Sequence, residues 1–506
     1  MAKESDKKQR ELVVVRDTVE SIWVAIVLAF VLRAFAFEAF VIPTGSMAPR
    51  LMGAHYRLQC PCCGREFTYG APDEDRRGRL GDSTAEAPIN NPACPNCGFL
   101  YNHANIGPKV YPSGGDRVLV LKYIYHFSPP RPWDVVVFKN PQDNSQNYIK
   151  RLVGLPGQLL EVIDGDIYFR QGSDRNGDGV IDREDFDFNG DGELTSEDLA
   201  DPEGLKAAPY RIRRKQRLEI QEAMWQVVFD NDYQPNMEMI AELNRDRPRW
   251  RRLAPPAWRA ASGDWDLSGD GGRRFAYRHA AGPGEVRLEA DREAFSVRYG
   301  YNPPGGREAE SYRRSGYAYI CQDTLLSTTY TPRDASSKVS LVTTSSECGR
   351  SHAFRAEVRA DGEVTLWHRP PGGDGPGEEV RWASRRIDPF KPGRPCKLAL
   401  AQVDYKVTLW IEDRPIVWST DEQYSPDPVA LKEYLRETDE RLEKINRLIR
   451  EFNGTGFRAS ESRPEALVEH LKHRAELLES RHPTPKLRIL ADGGPCDLTH
   501  VRVGRA

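Results

Sequence analysis

The stretch Ser21-Ile-Trp-Val-Ala-Ile-Val-Leu-Ala-Phe-Val-Leu32 carries no charge, and it constrains this 506-residue chain more than any other segment. A helix that crosses lipid needs about 20 apolar residues, because every backbone amide must be satisfied inside the segment. Counting from Val19 to Phe37, with Glu20 and Arg33 reaching toward the interface, makes the run long enough. Lys3, Lys7, Lys8, Arg10 and Arg16 precede it, which places the N-terminus in the cytoplasm and everything later outside. The h-region length also suits a cleaved signal peptide, and a buried core helix is the plainest alternative. No small-x-small cleavage site follows, however, and the run leads straight into Phe40-Val-Ile-Pro-Thr-Gly-Ser-Met47. The expectation is a cytoplasmic tail over 1–18 and an uncleaved, single-pass anchor over 19–39.

Behind the anchor, 29% charged and 39% hydrophobic residues exclude a collagen-like, disordered or polytopic chain. The net charge of -3, from 72 basic and 75 acidic residues, gives no global attraction to nucleic acid, and no nucleic-acid partner is expected. The length implies three or four domains.

Phe40 to Leu51 reads as a strand entering a turn that presents Ser46. Serine is a weak nucleophile unless a base accepts its proton, and a desolvated lysine can be that base. In Asn147-Tyr-Ile-Lys-Arg-Leu-Val-Gly-Leu-Pro-Gly157, Tyr148, Lys150 and Leu152 alternate on one face of a strand. On spacing alone the two are an ordinary turn serine and a solvated lysine. Together with Gly115-Asp-Arg-Val-Leu-Val120 and Pro132-Trp-Asp-Val-Val-Val-Phe138, and in this order after an anchor, the segments resemble the bacterial type I signal peptidases. The resemblance implies Ser46 as nucleophile and Lys150 as general base. It also implies an oxyanion hole from the Ser46 backbone N–H and the Thr44 hydroxyl, where one donor is worth ~3 kcal/mol. It further implies a β-rich core over 40–57 and 99–171, no catalytic cofactor, and Ala-x-Ala signal peptides of preproteins bound as an added strand. The location it implies is the inner membrane. The family's later box, with a Gly-Asp-Asn core, finds no match up to Ala506. This keeps a second expectation open, an inactive or truncated scaffold bearing a protein- or carbohydrate-binding sandwich.

Between the serine and the Gly115 box stand Cys60-Pro-Cys-Cys-Gly64 and Cys94-Pro-Asn-Cys-Gly98. Cys60, Cys63, Cys94 and Cys97 have zinc-ribbon spacing, and four thiolates would make the site structural. The expectation is a zinc-ribbon insertion in the protease over 58–98, with Cys62 spare; two disulfides are the alternative outside the cell.

Residues 172–200 hold two acidic loops. Asp174, Asn176, Asp178 and Asp185 form one, and Asp187, Asn189, Asp191 and Asp198 the other. Both follow the calcium-loop template, with Asp in place of Glu at position 12 and so weak, extracellular-grade affinity; a solvated acidic linker is the alternative. A linker with helix is expected over 201–239, its basic run Arg211–Arg217 forming a solvated face. Short alternating strands then argue a β-sandwich over 240–427 and 484–506, with hairpins at 354–368 and 397–411. Trp265-Asp-Leu and the 406–418 hairpin resemble concanavalin-type jelly rolls. Inside it, Leu431, Leu435, Thr438, Leu442, Ile445, Ile449 and Phe452 step at helical spacing. Ser462-Arg-Pro-Glu465 then reads as a capping box for a second helix, which makes an αα-hairpin over 428–483. Cys321, Cys348, Cys396 and Cys496 are left with no pairing that the sequence specifies. The fold class is mainly β.

Overall fold

The N-terminal apolar run is helical: α1 (Ala2–Val31) continues as a π-helical turn over Leu32–Ala36. Residues Arg16–Ala36 make a 21-residue stretch of mean hydropathy 2.0, long and apolar enough to cross a membrane. The helix stops at Ala36, so Phe37 to Ala39, expected in the anchor, open a strand instead. The computed structural model describes residues 2–42, 44–71, 93–99, 113–144, 147–195, 198, 201–245, 254–279, 282–296, 320–372, 377–454 and 465–505. The chain is mainly β and divides into two units: 1–55 with 70–77 and 112–155, and 56–69 with 78–111 and 156–506.

The strands up to residue 230 are β1 (Phe37–Val41), β2 (His55–Gln59), β3 (Glu66–Gly70), β4 (Arg117–Leu121), β5 (Val135–Lys139), β6 (Asn147–Arg151), β7 (Gln158–Ile163), β8 (Asp166–Gln171), β9 (Arg211–Ile212) and β10 (Gln226–Asp230). In the first unit β1 pairs antiparallel with β4, and β5 with β6.

In the second unit two sheets carry the core. One runs Trp265–Ser268, Arg274–Tyr277, Cys496–Arg505, Thr324–Pro332, Cys396–Val403, Lys406–Ile411 and Arg414–Trp418, with β10 also on Cys496–Arg505. The other runs Ala257–Ser262, Gly284–Glu289, Arg488–Asp492, Lys338–Glu347, Arg350–Arg359, Glu363–Arg369 and Val380–Arg386. Alternate residues turn inward, so Leu326 and Leu400 of the first sheet and Leu341, Phe354 and Leu366 of the second are fully buried in one cluster. The 350–369 and 396–411 hairpins fall where the alternation of apolar residues predicts them.

Helices Pro428–Gly454 and Glu465–Arg481 pair through Leu442, Ile445 and Leu477. The first of them also lays Leu431 against Ile163 and Tyr168 of the β7–β8–β9 sheet. Ser462 of the expected capping box lies outside the described residues.

Two placements differ from the sequence reading. The cysteine segment and residues 156–171, expected with the protease core, group with the sandwich. The middle of the basic run is not a solvated face, although Arg211 and Arg217 at its ends are exposed. Arg213 lies over the Phe169 ring at 3.8 Å, Arg214 Nε donates to the Asp404 carbonyl at 2.9 Å, and Lys215 is enclosed by Asp404 and Asp323. Burial opposes the Lys215 charge, but the three carboxylates of Asp323, Asp404 and Asp166 outweigh it and hold the ammonium pKa above its ordinary value. These partners lie far along the chain, so no local pattern announces them. No disulfide joins the nine cysteines, in line with a sequence that specified no pairing, and burial pushes the thiols of Cys321, Cys396 and Cys496 up to about 12.

Candidate active site

The first unit builds its site from backbone outward. Ile42 is buried and its N–H donates to the Asp116 carbonyl at 2.9 Å, while the Met52 N–H donates to the Asp116 carboxylate at 2.7 Å. Asp116 therefore pins both ends of the loop that carries Ser46. The approach is so close that a Cβ on Gly115 would lie 1.7 Å from the Ile42 oxygen, and one on Gly53 would lie 2.5 Å from the Thr44 carbonyl carbon. Both positions need glycine for space. Within the loop, Ala48 N–H bonds to Gly45 O at 3.0 Å and Leu51 N–H to Met47 O at 3.1 Å. Met47 and Gly45 turn inward, which leaves Thr44 and Ser46 exposed.

Lys150 lies on β6, directly opposite Val136 of β5. Trp133 N–H donates to Leu152 O at 2.6 Å, Leu152 N–H donates to Asp134 O at 2.8 Å, and Arg151 Nη1 reaches Trp133 O at 3.2 Å. The Pro132-Trp-Asp segment thus closes the open end of the hairpin. Lys150 Nζ stands 2.8 Å from Ser46 Oγ and 3.0 Å from the Ile149 carbonyl, with the Tyr148 ring 5.3 Å away. A hydroxyl and an amine in hydrogen-bond contact can exchange a proton as one attacks a carbonyl. The fold thus joins two residues 104 positions apart in sequence. Asp116 and Gly115 as the supports of the serine loop were not singled out in the sequence, although they sit inside a quoted motif.

The cysteines of the second unit also converge. The sulfurs of Cys60, Cys63, Cys94 and Cys97 all lie within 4.8 Å of one another and are buried. Close sulfur contacts, that with Cys60 foremost, drive the Cys63 pKa far down and the Cys94 and Cys97 values up.

The two acidic loops repeat one geometry. Asp174 accepts from the amides of Gly177 and Gly179 at 2.7 and 3.0 Å, and Asp187 from those of Gly190 and Gly192 at 2.7 and 2.8 Å. The buried position-12 residues bind back to their loop starts. Asp185 takes the Arg175 amide and Asp198 the Phe188 amide, while Thr195 N–H also donates to Asp198. Such amide bonds hold both carboxyls below the usual carboxylate range, with the Arg175 amide leading at Asp185 and the Thr195 amide at Asp198. Oxygens of Asp187, Asp191 and Asp198 lie within 4.8 Å of one another; Asp178, Asn176 and Asn189 are also on the loops, with Asn176 Nδ2 donating to Asp178 at 3.2 Å.

Residues 100–184 match the family described as signal peptidase, peptidase S26, a stretch that contains Lys150 and not Ser46. Over part of its length the chain is also similar to curated type I signal peptidases. It is 44% identical over 61 residues to the probable signal peptidase I-1 of a Synechocystis species, covering 11% of this chain and 31% of that one. It is 28% identical over 143 residues to signal peptidase I of Buchnera aphidicola, covering 28% and 30%. The chain therefore spans about a third of the length of the curated relatives it matches. Similar solved structures include a carbohydrate-binding module of Bacillus subtilis, with a TM-score of 0.25, 10% identity and 49% of this chain and 95% of that one covered. A Bacillus licheniformis β-glucanase has a TM-score of 0.24, 8% identity and 49% and 92% coverage.

Proposed function

We propose that this chain is a membrane-anchored serine endopeptidase that removes signal peptides from exported preproteins, with Ser46 as nucleophile and Lys150 as general base. The observation that supports it most is the 2.8 Å contact between Lys150 Nζ and Ser46 Oγ. Lys150, acting as general base, takes the Ser46 proton as Oγ attacks the scissile carbonyl, then returns it to the leaving amine. The Ser46 N–H and the Thr44 hydroxyl stabilise the oxyanion, and water releases the acyl group by the same route. Arg16–Ala36 anchors the enzyme in the inner membrane, with the basic N-terminus cytoplasmic and the catalytic residues outside. Cleavage of an Ala-x-Ala preprotein by vesicles containing the full chain tests this. Processing that disappears in Ser46→Ala and in Lys150→Ala supports the dyad, and processing retained by either variant rejects it. An inactive scaffold predicts no cleavage by the parent chain at all.

The acidic loops are proposed as two calcium sites, one using Asp174, Asn176, Asp178 and Asp185 and the other Asp187, Asn189, Asp191 and Asp198. Affinity is expected at roughly 10⁻⁴–10⁻³ M, the range of extracellular modules. Calcium at millimolar concentration should slow proteolysis within 172–200, and Asp178→Ala with Asp191→Ala should abolish the effect. Unchanged proteolysis would leave an acidic linker.

A further inference from the structure

The two cysteine turns are built alike. Gly64 N–H donates to Cys60 O at 2.8 Å and Cys60 N–H to Arg65 O at 2.8 Å; Gly98 N–H donates to Cys94 O at 2.9 Å and Cys94 N–H to Phe99 O at 2.8 Å. Gly64 and Gly98 take φ of 74° and 71°, the left-handed conformation that closes each turn. Across the turns, Cys60 Sγ is 3.5 Å from Cys97 Sγ and Cys63 Sγ is 3.7 Å from Cys94 Sγ. A disulfide would bring a pair to about 2 Å. Four thiolates at ~2.3 Å from a central zinc in a tetrahedron would stand about 3.8 Å apart, close to what is observed.

The residues between the cysteines point elsewhere. Asn96 is fully buried: its Oδ1 accepts from the Asp230 N–H at 2.6 Å and its Nδ2 donates to the Tyr233 carbonyl at 2.7 Å. Cys62, spare in the sequence reading, gives its carbonyl to the Asn236 N–H at 2.9 Å and its thiol to the Asn236 carbonyl at 3.8 Å. Just past the first turn, Arg65 binds the buried Asp230 carboxylate at 2.6 Å and covers the Tyr233 ring at 5.2 Å. The segment they hold, 230–236, leaves the end of β10. That strand pairs with the Cys496–Arg505 strand, where Asn231 N–H reaches Val501 O at 2.9 Å and Arg502 reaches Asp230 at 3.1 Å.

We propose that Cys60, Cys63, Cys94 and Cys97 bind one zinc ion, and that the loaded pair of turns is a clamp that fastens the 230–236 turn, and through it β10, to the Cys496–Arg505 strand. The metal sets the distance between the two turns, and that distance puts Asn96 and Cys62 on their backbone partners at the same time. Four thiolates leave no open position for substrate or water, so the ion takes no part in proteolysis. The clamp stands whether or not the Ser46–Lys150 reading does.

Metal analysis of the full chain, purified in detergent under reducing conditions, should find one zinc per chain, lost in Cys63→Ser and Cys97→Ser. Hydrogen exchange of peptides covering 226–237 reads the clamp. Chelation of the parent protein should raise exchange there by roughly tenfold or more, and zinc should restore protection. Asn96→Ala should keep its zinc yet lose protection at the Asp230 amide, which a metal site without a clamp would not do. Disulfides with no metal, or the visible absorption of an iron–thiolate centre, would overturn the zinc site. Zinc release that leaves exchange over 226–237 unchanged would overturn the clamp.

Discussion

The two units solve the problem of holding a side chain in place differently. Among the described residues of the first unit the buried apolar ones are few, with Ile42, Met47 and Trp133 the large ones, while Val41, Leu119, Leu121, Val135 and Phe138 stay exposed. Position there comes from backbone hydrogen bonds, the Asp116 carboxylate and two glycines that admit close approach. In the sandwich, position comes from packing: Leu326, Leu341, Phe354, Leu366 and Leu400 are wholly enclosed between two sheets. The contrast teaches that chemistry and stability are separable in this chain. The first unit is sensitive to single atoms near its loop, and the second to lost volume in its core.

Substitutions can break that separation, starting with the largest effect. Lys150→Arg keeps a long basic side chain but removes the proposed base, because a guanidinium stays protonated. Preprotein cleavage should fall roughly a thousandfold or more, as for Ser46→Ala, with thermal unfolding of the sandwich unchanged. A parallel fall in melting temperature would show that the two regions are not separable. Next is Gly115→Ala, whose new methyl group would meet the Ile42 oxygen at 1.7 Å. A loss of about 4 kcal/mol or more is expected in the first unit, read as rapid proteolysis near residues 42–53 and lost cleavage. Leu366→Ala should show the reverse, about 2–5 kcal/mol off the sandwich by calorimetry, with cleavage retained at low temperature.

The last effect is that of pH. His352 Nδ1 and His368 Nε2 face each other at 3.0 Å, and His368 stacks on Trp382 at 4.1 Å. Burial lowers both pKa values from 6.5 to about 4 by desolvating the charged form, helped by the charge of Arg350 at His352 and by His352 at His368. The unfolded chain therefore takes up these protons first. The stability this pair contributes is complete above pH 6.5 and is lost as pH falls toward 4. Sandwich melting should drop across that window, and His368→Phe should flatten the drop. A melting temperature constant over the window would remove the pair from the account.

Much of this was readable in the sequence because the signals are local. An uncharged run specifies a helix, alternation specifies strands, and two C-P-x-C-G turns specify four sulfurs in one place whatever surrounds them. Helical spacing from Leu431 onward marked the long helix, and the Ser46 and Lys150 segments were each visible as loop and strand. Other features arise only when distant segments meet. The 2.8 Å contact of Lys150 with Ser46, the hold of Asp116 on Met52, and Asn96 and Cys62 on the 230–236 turn all join residues tens to hundreds of positions apart. So does the enclosure of Lys215 by Asp323 and Asp404, which turned an expected solvated face into a buried ionic joint. Periodicity and turn chemistry act over a few residues and are written in order along the chain. Burial and hydrogen-bond partners depend on which surfaces pack together, and only the tertiary structure decides that.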